Sequence, residues 1–254
     1  MSLFAGRHAL VTGASRGIGA AIATAFSAHG ASVTLMVRDK LRARPVAEAL
    51  TGPVAIVVAD LTDREAVNAA SAEAAERLGA VDILVNNAGF TESAPFLKTG
   101  PEVFERMIAV HLMGAVHATQ AVLPSMIERG QGHVINVAST AGLRGETYVS
   151  AYVAAKHALV GLTRALALEV KKKGVAVNAV CPGYTDTDLV REAVARIADR
   201  SRMSEDEVLR TILTGAGQSR LVTTEEVADA VIALCSTPSG ALTGQTVVID
   251  GSHA

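Results

Sequence analysis

Short runs of apolar, mostly β-branched residues alternate along this chain with longer stretches of helix formers. The apolar runs fall at 8–13, 32–37, 54–59, 82–87, 133–139, 175–180 and 246–250. Helical patterns lie between them, at 17–29, roughly 40–50, 63–78, 101–129, 152–173 and 224–235. Several runs are apolar at nearly every position, as expected of strands covered on both faces in a parallel sheet. Strand and helix in alternation predict an α/β fold: a seven-stranded, doubly wound parallel sheet with helices on both faces. No linker, low-complexity tract or repeat beyond the strand–helix rhythm interrupts it, so residues 1–254 read as a single domain.

The rhythm breaks once. At about 185–220 two polar helical patterns, DTDLVREAVARIADR and SEDEVLRTILTGA, stand where one short crossover would suffice. An insertion after the C-terminal end of a strand sits where ligands bind in such sheets. It reads as a substrate lid, or alternatively as a solvated hairpin or oligomer contact.

Composition removes other function classes. Net charge is −2 with no basic block, and there is no tryptophan, so no surface for nucleic acid or an anionic membrane is expected. Cys181 and Cys235 lie far apart and match no metal spacing, which implies reduced thiols and no metal. The N-terminus lacks the pattern of a signal peptide, and no stretch approaches a membrane-spanning helix in length, so a cytoplasmic protein is expected.

The first strand runs directly into TGASRGIG, Thr12 to Gly19. Gly13, Gly17 and Gly19, with Ser15, Arg16 and Ile18 between them, let the backbone turn and approach a diphosphate. The helix that follows points its positive end at that anion. This predicts a dinucleotide site. At the end of the second strand an acidic residue would hold the adenine ribose 2′-hydroxyl, but Val37 stands there and Arg38 follows. Arg38 and Arg16 suit a 2′-phosphate, which favours NADP(H). Asp39 keeps NAD(H) possible, since a one-residue shift in strand end would bring its carboxylate in. Asp60 and Leu61 end the third strand, and NNAG, including Asn87, Ala88 and Gly89, ends the fourth; both fall over the same groove.

The fifth strand ends in Ser139. Tyr152 comes thirteen residues later and Lys156 four after that, one turn apart on a helix. TGASRGIG, NNAG, Ser139 and YVAAK, in this order and spacing, resemble the short-chain dehydrogenase/reductase family, and the likeness covers essentially the whole chain. It implies a Rossmann fold and homotetramers. It implies a proton-donating Tyr152, a Ser139 that fixes the substrate oxygen, and a Lys156 that holds the nicotinamide ribose. A nearby ammonium and the nicotinamide's positive charge are expected to lower the phenol's pKa. CPGYTDTDL is similar to the family's motif after strand six and implies cofactor contacts near Pro182 and Gly183, with Thr185 and Thr187 on the carboxamide and phosphates. His111 in VHLMG stands where the family has an asparagine thought to hold a water next to the lysine. It is expected to titrate near neutral pH, and reads either as part of that relay or as a packed core histidine.

The chain looks most like the branch containing 3-hydroxybutyrate dehydrogenases. That branch holds its small acid with a glutamine, a histidine and a lysine, and the matching positions here are Thr91, Ala141 and Val149. None pairs with a carboxylate. The expected substrate is an apolar or thioester-masked 3-oxo or 3-hydroxy compound, with Thr91, Ala141, Leu143, Tyr148 and Tyr184 lining the pocket and Glu92 and Glu146 as solvated charges. Two alternatives remain: an NAD-dependent hydroxyacid or alcohol dehydrogenase, and a non-catalytic dinucleotide sensor.

Overall fold

The computed structural model describes residues 2–239 and 241–252. Its strands are β1 (His8–Thr12), β2 (Ser32–Val37), β3 (Val54–Val58), β4 (Ile83–Asn86), β5 (Gly132–Val137), β6 (Val175–Pro182) and β7 (Thr246–Ile249). They form one parallel sheet in the order β3-β2-β1-β4-β5-β6-β7.

The helices are α1 (Gly17–Ala28), α2 (Lys40–Ala49), α3 (Arg64–Leu78), α4 (Pro101–Ile108), α5 (Gly114–Glu128), α6 (Ser150–Val170), α7 (Asp188–Ser201), α8 (Glu205–Ala216) and α9 (Thr224–Ser236). Successive residues of a strand point to opposite faces. Ala9 and Val11 of β1 therefore pack with Ile22, Phe26 and Val231 of α1 and α9. Leu10, between them, packs with Val67, Val122 and Met126 of α3 and α5. β4 and β5 split in the same way: Ile83, Val85 and Ile135 go to the first core, Leu84 and Val134 to the second. With no solvent-facing side to the central strands, the apolar runs have no polar alternation.

Chain order reverses between β1 and β4, so the loops after these two strands diverge and leave a crevice at their C-terminal ends. Strand and helix limits fall within about three residues of those expected from the sequence, except that the pattern at 101–129 is divided into α4 and α5 by a π-helical turn, Ala109–Met113. The insertion is helical as anticipated. α8 starts with a capping box, in which the Ser204 hydroxyl accepts from Glu207 N–H and Glu207 reaches back to Ser204 N–H. The segment leaves and rejoins the sheet at one point, where Thr185 bridges Val222.

One expectation is corrected. The continuous helical run Pro101–Glu128 is long and apolar enough to cross a membrane by length and composition, with mean hydropathy 1.3. Along it Met107, Ala115, Ala118, Val122 and Met126 are buried against the rest of the chain, and 39% of its most apolar window is buried in all.

Candidate active site

The crevice is a groove of about 720 Å³. Its floor at one end is the glycine loop. Gly13 takes φ +67°, a conformation that side chains resist. A Cβ on Gly19 would collide with Asn87 Nδ2 and sit 2.6 Å from the Gly13 carbonyl oxygen. Nothing larger than glycine fits there. Asn87 Nδ2 donates to the Thr12 carbonyl at 3.0 Å and to the Gly13 carbonyl at 3.3 Å, which fastens the end of β4 to the loop. Thr12 Oγ1 accepts from the N–H groups of Asn87 and Ala88. Helix α1 has no side-chain cap and no acid in its first turn, so its leading N–H groups are left for an anion. Gly17, Ser15 and Ile18 line the same wall. The loop therefore fits the diphosphate of a dinucleotide.

At the outer end β2 stops at Val37, and Arg38 follows it into the groove. Asp39 lines this end too, but one of its carboxylate oxygens caps α2 by accepting from Leu41 N–H at 2.9 Å. Arg16 and Arg42 line this end as well. Arg42 escaped the sequence reading because only the first turn of α2 carries it to the groove that Arg38 lines. Asp60 Oδ1 accepts from the N–H and hydroxyl of Thr62, and these bonds hold its pKa below the usual carboxylate value.

The inner end holds Tyr152 and Lys156. Lys156 is 4 % exposed, and its Nζ donates to the Val137 carbonyl at 2.8 Å while standing 5.6 Å from the Tyr152 ring centre. Burial lowers its pKa to about 8. Ser139 follows the last residues of β5, and its hydroxyl accepts from Ala141 N–H. Burial pushes the Tyr152 phenol up to about 12, with its contact to Ser139 opposing that shift. The expected lowering is thus reversed in the chain by itself: desolvation dominates, and the ammonium is engaged with Val137.

His111 lies in a five-residue π-helical turn, Ala109–Met113, between α4 and α5. It is buried, and its ring packs edge-on to Tyr152 with centres 5.3 Å apart. Nε2 donates to the Phe90 carbonyl at 2.7 Å, which leaves Nδ1 as an acceptor with no partner among the described residues. Burial and then the Lys156 charge lower its pKa to about 3, so it does not titrate near neutrality as the sequence suggested. Asn86 Oδ1 is a second buried acceptor without a partner among the described residues. His111, Asn86 and Lys156 share a cavity of about 10 Å³, near the size of one water. Asn86 is held from behind: its Nδ2 donates to Asn136 Oδ1 and Thr119 Oγ1, and Asn136 Nδ2 donates to Thr163 Oγ1 on α6. The sequence placed this asparagine only within NNAG at the end of the fourth strand, because the ladder needs distant elements side by side.

The remaining positions divide. Leu61, Ala88, Gly89, Thr91 and Thr187 line the groove. Thr185 is buried, and its hydroxyl donates to the Gly183 carbonyl at the end of β6, just beyond Pro182. Ala141 is fully buried, whereas Leu143 and Tyr148 are exposed. Tyr148 takes φ +65°, and its carbonyl accepts from Ala94 N–H. Tyr184 is clamped by Gln218, which accepts from Tyr184 N–H at 2.7 Å and donates to the Tyr184 carbonyl. Gln218 gave no sequence signal; a buried side chain imitating a strand partner leaves no local pattern. Glu92 is held by Arg106 through three hydrogen bonds. Glu146 is half-buried, which raises its pKa, and its charge raises those of Tyr152 and Tyr184.

A doubly wound sheet with a dinucleotide groove at its switch point, and a tyrosine, lysine and serine gathered at one end, defines an oxidoreductase scaffold. The short chain dehydrogenase model matches residues 7–198, and the chain belongs to that family. It is an enzyme acting on CH–OH and carbonyl groups with a nicotinamide dinucleotide. It is 36% identical over 251 residues to the D-beta-hydroxybutyrate dehydrogenase of Rhizobium meliloti, covering 96% of this chain and 97% of that protein. It is 36% identical over 247 residues to the acetoacetyl-CoA reductase of Shinella zoogloeoides, covering 97% and 98%. Among solved structures, the L-sorbose reductase of Gluconobacter frateurii, complexed with NADPH and L-sorbose, superposes with a TM-score of 0.91 at 29% identity, covering 99% of this chain and 98% of that one.

Proposed function

We propose that this protein is an NADP(H)-dependent reductase of a neutral or thioester-masked 3-oxo compound. The observation that carries the reading is the meeting of Ser139, Tyr152 and Lys156 at the inner end of a groove whose outer end holds Arg16, Arg38 and Arg42. A bound nicotinamide supplies or accepts the hydride. Tyr152 donates its phenolic proton to the carbonyl oxygen, and a pKa of about 12 keeps that proton in place at neutral pH before the cofactor binds. Ser139 donates a hydrogen bond to the same oxygen and fixes its position. Lys156, anchored on Val137, holds the ribose hydroxyls and carries the positive charge that favours the phenolate left behind. His111 stays neutral, and its free Nδ1 with Asn86 Oδ1 holds a water beside Lys156 through which the proton is replaced.

Three arginines at the ribose end favour the 2′-phosphate, as does the diversion of Asp39 to cap α2. Masking of the acid is supported on the substrate side. Thr91, Ala141 and Val149 supply no cation, while Glu146 places a negative charge near Tyr152 and Tyr184, opposed at Tyr184 by Arg144. The similarity to an acetoacetyl-CoA reductase agrees with such a substrate. A homotetramer in the cytoplasm, without nucleic acid or membrane partner, completes the proposal. A second reading, an NAD-dependent hydroxyacid dehydrogenase, is favoured by the hydroxybutyrate relative and by Asp39 at the groove wall.

The test pairs NADPH or NADH with acetoacetyl-CoA, acetoacetate and a cyclic ketone, following nicotinamide absorbance. NADPH-driven turnover of the thioester or ketone, with little for acetoacetate, is expected; NADH-driven turnover of acetoacetate would establish the second reading. Tyr152→Phe should lower turnover by about 10²- to 10⁴-fold with NADPH binding retained. Persistent activity in that variant would remove the assigned proton donor.

A further inference from the structure

Each of the three arginines at the ribose end of the groove already faces a carboxylate. Arg42 Nε lies 3.5 Å from Asp39 Oδ2, the charge of Arg38 acts on Asp60, and Arg16 Nη1 lies 3.5 Å from Glu192 Oε1. Two of these acids have backbone partners of their own. Asp39 caps α2, and Asp60 holds the turn at Thr62. Glu192 makes no such bond, and among the described residues Arg16 is its sole hydrogen-bond or ion-pair partner. It stands on α7, the first helix of the insertion. Thr187, at the N-cap of that helix, lies against the glycine loop, its Cγ2 3.4 Å from where a Cβ on Gly17 would be. The insertion thus touches the cofactor loop twice, once by packing and once through this charge pair.

We propose that Glu192 is a built-in competitor of the cofactor's 2′-phosphate for Arg16, so that a phosphorylated dinucleotide unpairs the insertion from the glycine loop and an unphosphorylated one leaves it paired. This rests on the NADP(H) reading above. Arg16 and Glu192 side chains are 56% and 60% exposed, and an exposed pair of this length is weak. A phosphate carries more charge than a carboxylate and matches a guanidinium with two parallel hydrogen bonds. It displaces Glu192, and so removes one of the two contacts between the insertion and the glycine loop. Glu192 accordingly reduces the discrimination that Arg16 would otherwise give, and couples cofactor identity to the position of the insertion.

The experiment compares wild type with Glu192→Gln, titrated with NADPH, NADH and adenosine 2′,5′-bisphosphate, which carries the phosphate without the nicotinamide. The variant should bind NADPH and the bisphosphate about two- to fivefold more tightly, with NADH changed by less than about twofold. The gain should vanish when Arg16→Gln is added. Equal changes for all three ligands, or none, would overturn the proposal. The wild-type ratio of NADPH to NADH affinity tests the cofactor reading separately. A wild-type preference for NADH, with the variant still gaining on the bisphosphate, sinks that reading and keeps the competition. A preference for NADPH with an unresponsive variant does the reverse.

Discussion

Lys156 illustrates how a functional residue stores instability. Its ammonium is buried with one carbonyl partner, and its pKa falls from 10.5 to about 8. The folded chain therefore binds fewer protons than the unfolded chain between these values, and this residue's contribution to stability rises as pH climbs from about 8 towards 10.5. Urea midpoints across that window should rise for wild type relative to Lys156→Met, whose turnover falls by about 10²-fold or more. Parallel midpoints in the two proteins would show that the ammonium is not desolvated. The position of Lys156 was readable from YVAAK, since four-residue spacing on a helix fixes a shared face. The direction of the Tyr152 shift was not readable. It depends on how much water the surrounding elements exclude, and spacing says nothing of that. His111 failed for the same reason: its type suggested a titrating group, but the π-helical turn buries it.

At the scale of elements, the glycine loop works because β1, α1 and the end of β4 converge on it. Gly19→Ala would drive a methyl into Asn87 Nδ2 and the Gly13 carbonyl. Overpacking of this kind costs about 1–3 kcal/mol, so chemical denaturation should show that loss, together with weaker binding of the cofactor. Unchanged stability would mean that the β4 end yields to the methyl. TGASRGIG announced the loop by itself, because its three glycines fall within seven residues directly after a strand-like run. The helices of the insertion were equally legible from their amphipathic polar patterns. Gln218 and the Asn86–Asn136–Thr163 ladder were not, since each joins segments tens of residues apart through single side chains; Arg42 was not, since only the turn into α2 carries it to the groove.

Across the whole molecule, the two ends of the sheet carry different burdens. The C-terminal ends hold the groove. At the opposite end His8, Asp82, Arg129 and His133 are packed together where β1, β4 and β5 begin. His133 is fully buried, with neither ring nitrogen partnered among the described residues, and burial lowers its pKa to about 4. Its folded value lies below the ordinary 6.5, so its contribution is complete above pH 6.5 and is lost as pH falls towards about 4. His111 adds to the same acid sensitivity, down to about 3. His133→Leu should hold or raise stability at neutral pH by up to about 1 kcal/mol and flatten the decline between pH 6.5 and 4. A variant that unfolds at the same acid midpoint as wild type would clear His133 of that role. The α/β order of the chain was visible from its apolar runs, because complete burial of the central strands removes any polar alternation. The insertion has a further consequence. Thr185 and Val222 form one rung, Asp186 N–H donates to the Val222 carbonyl, and Val222 N–H donates to the Tyr184 carbonyl, so the whole excursion begins and ends at a single point. A segment closed at its base behaves as an exchangeable cartridge: its sequence, length and shape can drift, or be swapped for a relative's, while the seven strands beneath keep their register.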